Sequence, residues 1–220
     1  MKATFEKIKQ NKAINEYIKK ADEALRALGY TEHSHSHVTR VCDRARYILQ
    51  TLGYSEREIE LVQIAAYLHD IGNVVNRVAH SQSGAIMAFR LLDKMDMDAC
   101  DIATIVSAIG NHDEGTGVPI DALSAALIIA DKSDVRRTRV RNSDLSTFDI
   151  HDRVNYSVER SELVISEDKK EIKLILSVDT QYSSIMDYFE IFLARMLLCR
   201  KAAEKLGTAF KLDINGQQLI

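Results

Sequence analysis

The sequence predicts a mainly helical protein with a small C-terminal α+β appendage. Only one proline and nine glycines occur in 220 residues, so few residues interrupt helices. Apolar residues recur at helical spacing up to about residue 150. Beyond that point, β-branched residues cluster and partly alternate, as in strands. We therefore expect a helical domain over residues 1–150 and an appendage over residues 151–220 that packs on it.

Composition narrows the class of protein. Hydrophobic types make up 46% of the chain and charged types 28%, an ordinary globular balance. The net charge of −3 provides no global field to attract nucleic acid. No apolar run approaches the roughly 18 residues of a membrane span, and no secretory signal opens the chain. Cys42, Cys100 and Cys199 are far apart, which indicates neither disulfides nor a cysteine zinc site. These features predict a cytoplasmic protein.

Helical stripes and stop signals place the elements of the first domain. Gly29 and Gly53 each follow an apolar stripe and are expected to end a helix. Ser55 and Glu58 form a capping box that opens the third helix, whose stripe ends at His69. The predicted helices are, in chain order, about Phe5–Leu28, Ser36–Leu52, Ser55–His69, Ser83–Met95, Asp98–Ile109 and Asp121–Thr138.

The appendage is expected to have the order β-β-α-β. Two β-rich segments flank a polar stretch and predict a hairpin, and a long helix and a last strand follow. The predicted elements are Glu162–Ser166, Glu171–Val178, about Ser183–Leu206 and Phe210–Ile214. Phe189, Phe192 and Met196 share one face of the long helix, which predicts core packing. A homo-oligomer interface through this helix is the open alternative.

Histidines and aspartates concentrate near the predicted helix ends. Helix ends of one bundle can converge on a single pocket. Imidazole and carboxylate ligands suit Mn, Fe, Co, Ni or Zn better than Mg. Six candidates exceed what one tetrahedral ion needs, whereas two ions bridged by the Asp70 carboxylate would use them all. His33 and His35 compete with His37, which is preferred because it directly precedes an apolar stripe. The candidate ligands are His37, His69, Asp70, His80, His112 and Asp131.

The order of these residues resembles the HD-domain metal-dependent phosphohydrolases. The segments YLHDIGN, HSQSGA and LIIADKSD are similar to that family's separate motifs, and the resemblance covers about residues 33 to 141. It implies an HD-type helical bundle, the use of two divalent metal ions, and Asp70 as the catalytic carboxylate. The implied reaction is hydrolysis of a phosphate ester by a metal-activated hydroxide. The implied substrate is a nucleotide, a cyclic dinucleotide or another small phosphorylated molecule.

One loop, NHDEGTGVP, resembles the HD-GYP cyclic-dinucleotide phosphodiesterases in part. Asn111 stands where that group has a histidine, Val118 replaces its tyrosine, and Asn73 replaces the lysine that often follows HDIG. The choice of substrate therefore stays open. A non-catalytic module that binds a metal or a ligand is the alternative function.

Basic residues follow Asp131 closely. Lys132, Arg139 and Arg141 are the candidates for substrate phosphate contacts, because a continuing helix would place the two arginines beside Asp131. A solvated face with ion pairs is the alternative for this cluster. Binding of nucleic acid through it is disfavoured by the net charge. The second HD dipeptide, His151-Asp152, is expected to be structural.

Overall fold

The computed structural model describes residues 3–220, and helices dominate it. Seven helices precede residue 140 and assemble into the predicted bundle. Their bounds are α1 Phe5–Lys9, α2 Lys12–Ala27, α3 His35–Leu52, α4 Glu56–Leu68, α5 His80–Asp93, α6 Ala99–Gly110 and α7 Ala122–Lys132. A short 3-10 turn over Ile71–Val74 joins α4 to the segment before α5. No helix among residues 3–220 has the length and apolar character needed to cross a membrane.

Capping residues set the boundaries of these helices. Ser55 and Glu58 form the expected capping box of α4, and Gly53 ends α3 at φ 92°. The single helix expected over Phe5–Leu28 is wrong. The side chain of Asn11 accepts hydrogen bonds from the backbone of Ala13 and Ile14, so a new helix starts there.

The helix that carries Asp131 is shorter than its apolar pattern indicates. It ends at Lys132, and a 3-10 turn occupies Arg137–Arg139, so the expected continuation to Thr138 is wrong. Arg136 pairs with Glu32, and Arg139 donates to the backbone carbonyls of Glu32 and Asp134. These tertiary contacts replace the helical hydrogen bonds that the segment would otherwise make.

The C-terminal appendage contains the predicted elements and two more, a helix before them and a two-residue strand after them. Helix α8, Ile150–Ser157, is capped by Asp149, whose carboxylate accepts a hydrogen bond from the backbone of Asp152. The other elements are β1 Val158–Ile165, β2 Glu171–Val178, α9 Ile185–Lys205, β3 Ala209–Ile214 and β4 Gln217–Gln218. The sheet order is β1-β2-β3-β4, with β2 and β3 parallel and the other pairs antiparallel. The crossover between the parallel strands is α9.

A continuous core joins the appendage to the bundle. Helix α9 packs on α7, and Phe192 and Met196 are buried there as core residues. Arg44 of α3 bridges the two parts by donating to Ser133 Oγ (2.9 Å) and to the Ser161 carbonyl of β1 (2.7 Å). The appendage therefore lies directly behind the helix that carries Asp131.

Candidate metal centre

Helix ends bring the six candidate ligands into one cluster. His37 lies in the first turn of α3, His80 begins α5, and Asp131 is next to last in α7. His69 and Asp70 directly follow α4, and His112 follows α6. The four histidines and Asp70 are buried. Sequence positions 94 residues apart thus meet in one place.

Gly72 makes this convergence possible. A Cβ atom at this position would lie 2.0 Å from the carbonyl oxygen of His80 and 2.5 Å from the backbone nitrogen of Gly84. Only glycine lets the turn after Asp70 approach the start of α5 so closely. The glycine of the HDIG segment is therefore needed to bring His80 beside Asp70.

The two carboxylate oxygens of Asp70 face different histidines. Oδ2 lies 3.2 Å from His69 Nε2 and 3.7 Å from His37 Nε2. Oδ1 lies 3.5 Å from His80 Nε2 and 3.9 Å from His112 Nε2. Asp70 therefore stands between two groups of imidazoles.

Asp131 completes the first group. Its Oδ1 lies 3.4 Å from His37 Nε2 and 3.8 Å from His69 Nε2. Three overlapping triads have ligand atoms close enough to hold a metal ion, all within 4.8 Å of one another. They are His37, His69 and Asp70; His69, His112 and Asp131; and Asp70, His80 and His112.

Hydrogen bonds on the far side of each ring orient the histidines. His69 Nδ1 donates to the Ala66 carbonyl at 2.7 Å, and His112 Nδ1 donates to the Ile109 carbonyl at 2.6 Å. His37 Nδ1 donates to Asp134 Oδ2 at 2.8 Å. A carbonyl or carboxylate acceptor fixes the proton on Nδ1, so Nε2 presents its lone pair to the cluster.

The donor set fits a divalent cation. The Nε2 atoms of His37 and His69 are buried and have no hydrogen-bond partner within residues 3–220. Burial would raise the pKa of Asp70, yet the neighbouring His69 holds that pKa well below its usual range. Burial opposes a proton on His69, but Asp70 and Asp131 raise its pKa to about 8. The carboxylates thus favour a positive charge in the buried site, and a metal ion on the Nε2 lone pairs would supply it in place of a proton on His69.

Two of the three basic residues predicted to bind phosphate lie at the cavity, and the third does not. Lys132 and Arg139 line the cavity beside the cluster. Lys132 Nζ is paired with Glu114 Oε2 at 2.7 Å and with Asp131 Oδ2 at 2.8 Å. Arg141 does not line the cavity and instead pairs with Asp22 of α2. Its expected position beside Asp131 is wrong, because α7 ends at Lys132.

Several residues at the site were not predicted from the sequence. Asp134 orients His37, and Asn73 donates from Nδ2 to Asp70 Oδ1 at 3.1 Å. Glu114 pairs with Lys132 and with Arg195 of α9. The three-residue spacing from Asp131 to Asp134 could have indicated that both serve one site, whereas no local pattern indicates Arg195.

The cavity in front of the cluster has a volume of about 490 Å³. Its walls include His33, whose Nδ1 donates to the Thr31 carbonyl at 2.7 Å, whereas His35 is exposed and does not line it. His151 and Asp152, expected to be structural, line the cavity too. The volume is in the range of pockets that bind small molecules.

Part of this chain matches a known protein family, and the chain is similar to two known proteins. The HD domain family model matches residues 35–137. An uncharacterised protein of Methanocaldococcus jannaschii is 28% identical, over 80% of this chain and 77% of that protein. A crystal structure described as a predicted HD superfamily hydrolase, from an uncultured Thermotogales bacterium, is 27% identical with a TM-score of 0.45. The match covers 56% of this chain and 67% of the Thermotogales chain. Residues 35–137 of this chain thus match the HD domain family, as the separate motifs predict.

Proposed function

We propose that the protein is a metal-dependent phosphohydrolase that cleaves a phosphate ester of a small molecule. The observation that carries this proposal is the position of Asp70. Its Oδ2 lies nearest His69 and its Oδ1 nearest His80, at 3.2 and 3.5 Å. A carboxylate that faces two groups of imidazoles supports a pair of ions bridged by Asp70. Ions about 3.5–4 Å apart, when bound, lower the pKa of water and polarise a phosphoryl group.

The chain's own residues would hold the ions and the substrate. Four imidazole Nε2 atoms and the carboxylates of Asp70 and Asp131 supply the ligands. Asn73 holds Asp70 in place through its hydrogen bond to Oδ1. Arg139 uses Nε and Nη1 in hydrogen bonds to backbone carbonyls, so its Nη2 is the group that would bind a phosphate oxygen. The substrate class we propose is a nucleotide, a cyclic dinucleotide or a similar phosphate ester.

The test is a metal count combined with a hydrolysis screen. Wild-type protein, purified without a histidine tag, is expected to hold about two transition-metal ions per chain. It should hydrolyse at least one phosphate ester when Mn, Fe, Co or Ni is supplied. Asp70→Asn should lose metal and activity together. His37→Ala should lose metal, whereas His35→Ala, two residues away and exposed, should not.

Two results would contradict the proposal. Activity that survives in Asp70→Asn would remove Asp70 from the reaction. Bound metal with no turnover of any ester would favour the alternative, a module that binds a metal or a ligand without catalysis. The departures at Asn73, Asn111 and Val118 are the basis of that alternative. The ion pairs of Lys132 with Glu114 and Asp131 also favour it, because they occupy an ammonium that was expected to bind phosphate.

We also propose that the two segments of the chain have different roles. Residues 1–150 would carry the metal centre, and residues 151–220 would form part of the cavity wall. Support comes from Asp152, Asn155 and Arg195, which lie in the second segment and line the cavity.

A further inference from the structure

Arg195 reaches the cavity from outside the family-matched segment. It lies on α9, and its side chain is 24% exposed. Its Nε donates to Glu114 Oε1 at 2.9 Å, and its guanidinium carbon lies 4.5 Å from the ring centroid of Phe192. These two contacts fix the plane of the guanidinium group. Neither Nη nitrogen donates a hydrogen bond to any residue of the described range 3–220.

The negative charge of Glu114, the partner of Arg195, is also balanced by a second cation. Glu114 also pairs with Lys132, through Oε2 at 2.7 Å. The single negative charge of Glu114 is therefore shared between Lys132 and Arg195. Lys132 has a second partner in Asp131, whereas Arg195 forms no second ion pair within residues 3–220. The free end of Arg195 thus keeps positive charge available to an anion.

Two more arginines line the same cavity from other parts of the chain. Arg139 follows α7, and Arg77 precedes α5. Guanidinium groups present paired donors that match the oxygens of a phosphate. A cavity of about 490 Å³ that holds three such groups suits a compact anionic ligand.

We propose that Arg195 anchors the substrate by binding oxygens of its phosphate group through the two Nη nitrogens. The identity of the ligand as a phosphate ester rests on the function proposed above. The C-terminal appendage then supplies one of the substrate-binding residues. The HD domain alone would lack it.

Inorganic phosphate is the probe for this proposal. Calorimetry on the Mn-loaded full-length protein is expected to give a Kd for phosphate about 10-fold higher in Arg195→Gln than in the wild type. Arg195→Lys should be intermediate, because it keeps the charge but loses the paired donors. The matched control is Arg200→Gln, an exposed position on the same helix, which should leave the Kd unchanged. The metal content of all three variants should equal that of the wild type.

A double variant separates direct binding from an indirect effect through Glu114. If Arg195 acts only by balancing Glu114, then Glu114→Gln together with Arg195→Gln should restore the Kd of the wild type. If Arg195 touches phosphate, the double variant should stay weak. Restored binding in the double variant would overturn the proposal, as would an unchanged Kd in Arg195→Gln.

The outcome is separable from that of the proposed function. Wild-type protein that binds no phosphate would overturn the role of Arg195, whatever the hydrolysis screen shows. Phosphate binding that depends on Arg195, without turnover of any ester, would preserve that role and refute the hydrolase. Turnover of an ester by the wild type, together with an unchanged Kd in Arg195→Gln, would support the hydrolase and overturn the role of Arg195.

Discussion

The imidazole of His37 donates from Nδ1 to Oδ2 of Asp134 across 2.8 Å, and both side chains are fully buried. This hydrogen bond connects the first turn of α3 to the segment after α7. It directs His37 Nε2 at Asp70 and Asp131. A carboxylate behind a histidine both orients the ring and increases its basicity.

We expect Asp134→Asn to weaken metal binding by about 10- to 100-fold, because the amide no longer supports the His37 ring as a carboxylate does. Titration with Mn²⁺ measures the affinity directly. Asp43→Ala, at an exposed position of α3, is the control and should bind as the wild type does. A loss of thermal stability with unchanged Mn²⁺ affinity would assign Asp134 to folding alone.

Gly72→Ala should destabilise the protein by about 3 kcal/mol, since the added methyl group would overlap backbone atoms of α5. Gly110→Ala is the matched control. Its nearest atoms would be 3.8 Å or more away, so the change should cost little. Urea unfolding of both variants gives the free energies. Equal stability of the two would show that the turn can move away from α5.

Removal of metal should lower the melting temperature. The carboxylates of Asp70, which is buried, and Asp131, which is half-buried, lose their counter-charge. An ion present at about 100 times its Kd stabilises the fold by about 2.7 kcal/mol. Scanning calorimetry with excess Mn²⁺ and with a chelator measures the shift. His35→Ala should show the full shift, and His37→Ala should show little of it. A shift of the same size in His37→Ala would place the bound ion elsewhere.

Arg44→Met should reduce the free energy of unfolding by about 2 kcal/mol. Methionine fills the space of the arginine stem but leaves the Ser161 carbonyl without this donor. Arg46→Gln, on the exposed side of the same helix, should stay within about 0.5 kcal/mol of the wild type. Chemical denaturation of both variants tests this, and an effect on Arg46 as large as on Arg44 would contradict it.

The sequence indicates those parts of the fold whose signals are local. Ser55 and Glu58 predict the start of α4, because a capping box involves only residues of one helical turn. His69 and Asp70 stand out because polar residues rarely follow an apolar stripe without a partner. The fold class and the resemblance to the HD-domain superfamily were both predicted, and both are confirmed.

Other features depend on distant contacts and leave no local signal. Helix α7 ends at Lys132 because the arginines after it bond to Glu32, which is remote in sequence. Arg195 reaches the cavity because α9 packs on α7. The helical spacing of Arg195 predicts only that it lies on a partly exposed face of α9. The pairing of Asp134 with His37 spans 97 positions, so the spacing from Asp131 could indicate that Asp134 belongs to the site but not which histidine it contacts.

The parallel pairing of β2 with β3 has a consequence for the order of assembly. The hairpin of β1 and β2 can form from neighbouring residues, but β3 can join only after α9 has crossed over the sheet. Until residues 209–214 are synthesised, β2 presents an unpaired edge to other chains. A ribosome-bound intermediate would thus have its HD domain complete while α9 still lacks the strand that secures its far end. The cavity would therefore become able to bind its ligand late in biosynthesis, after the metal ligands are already in place.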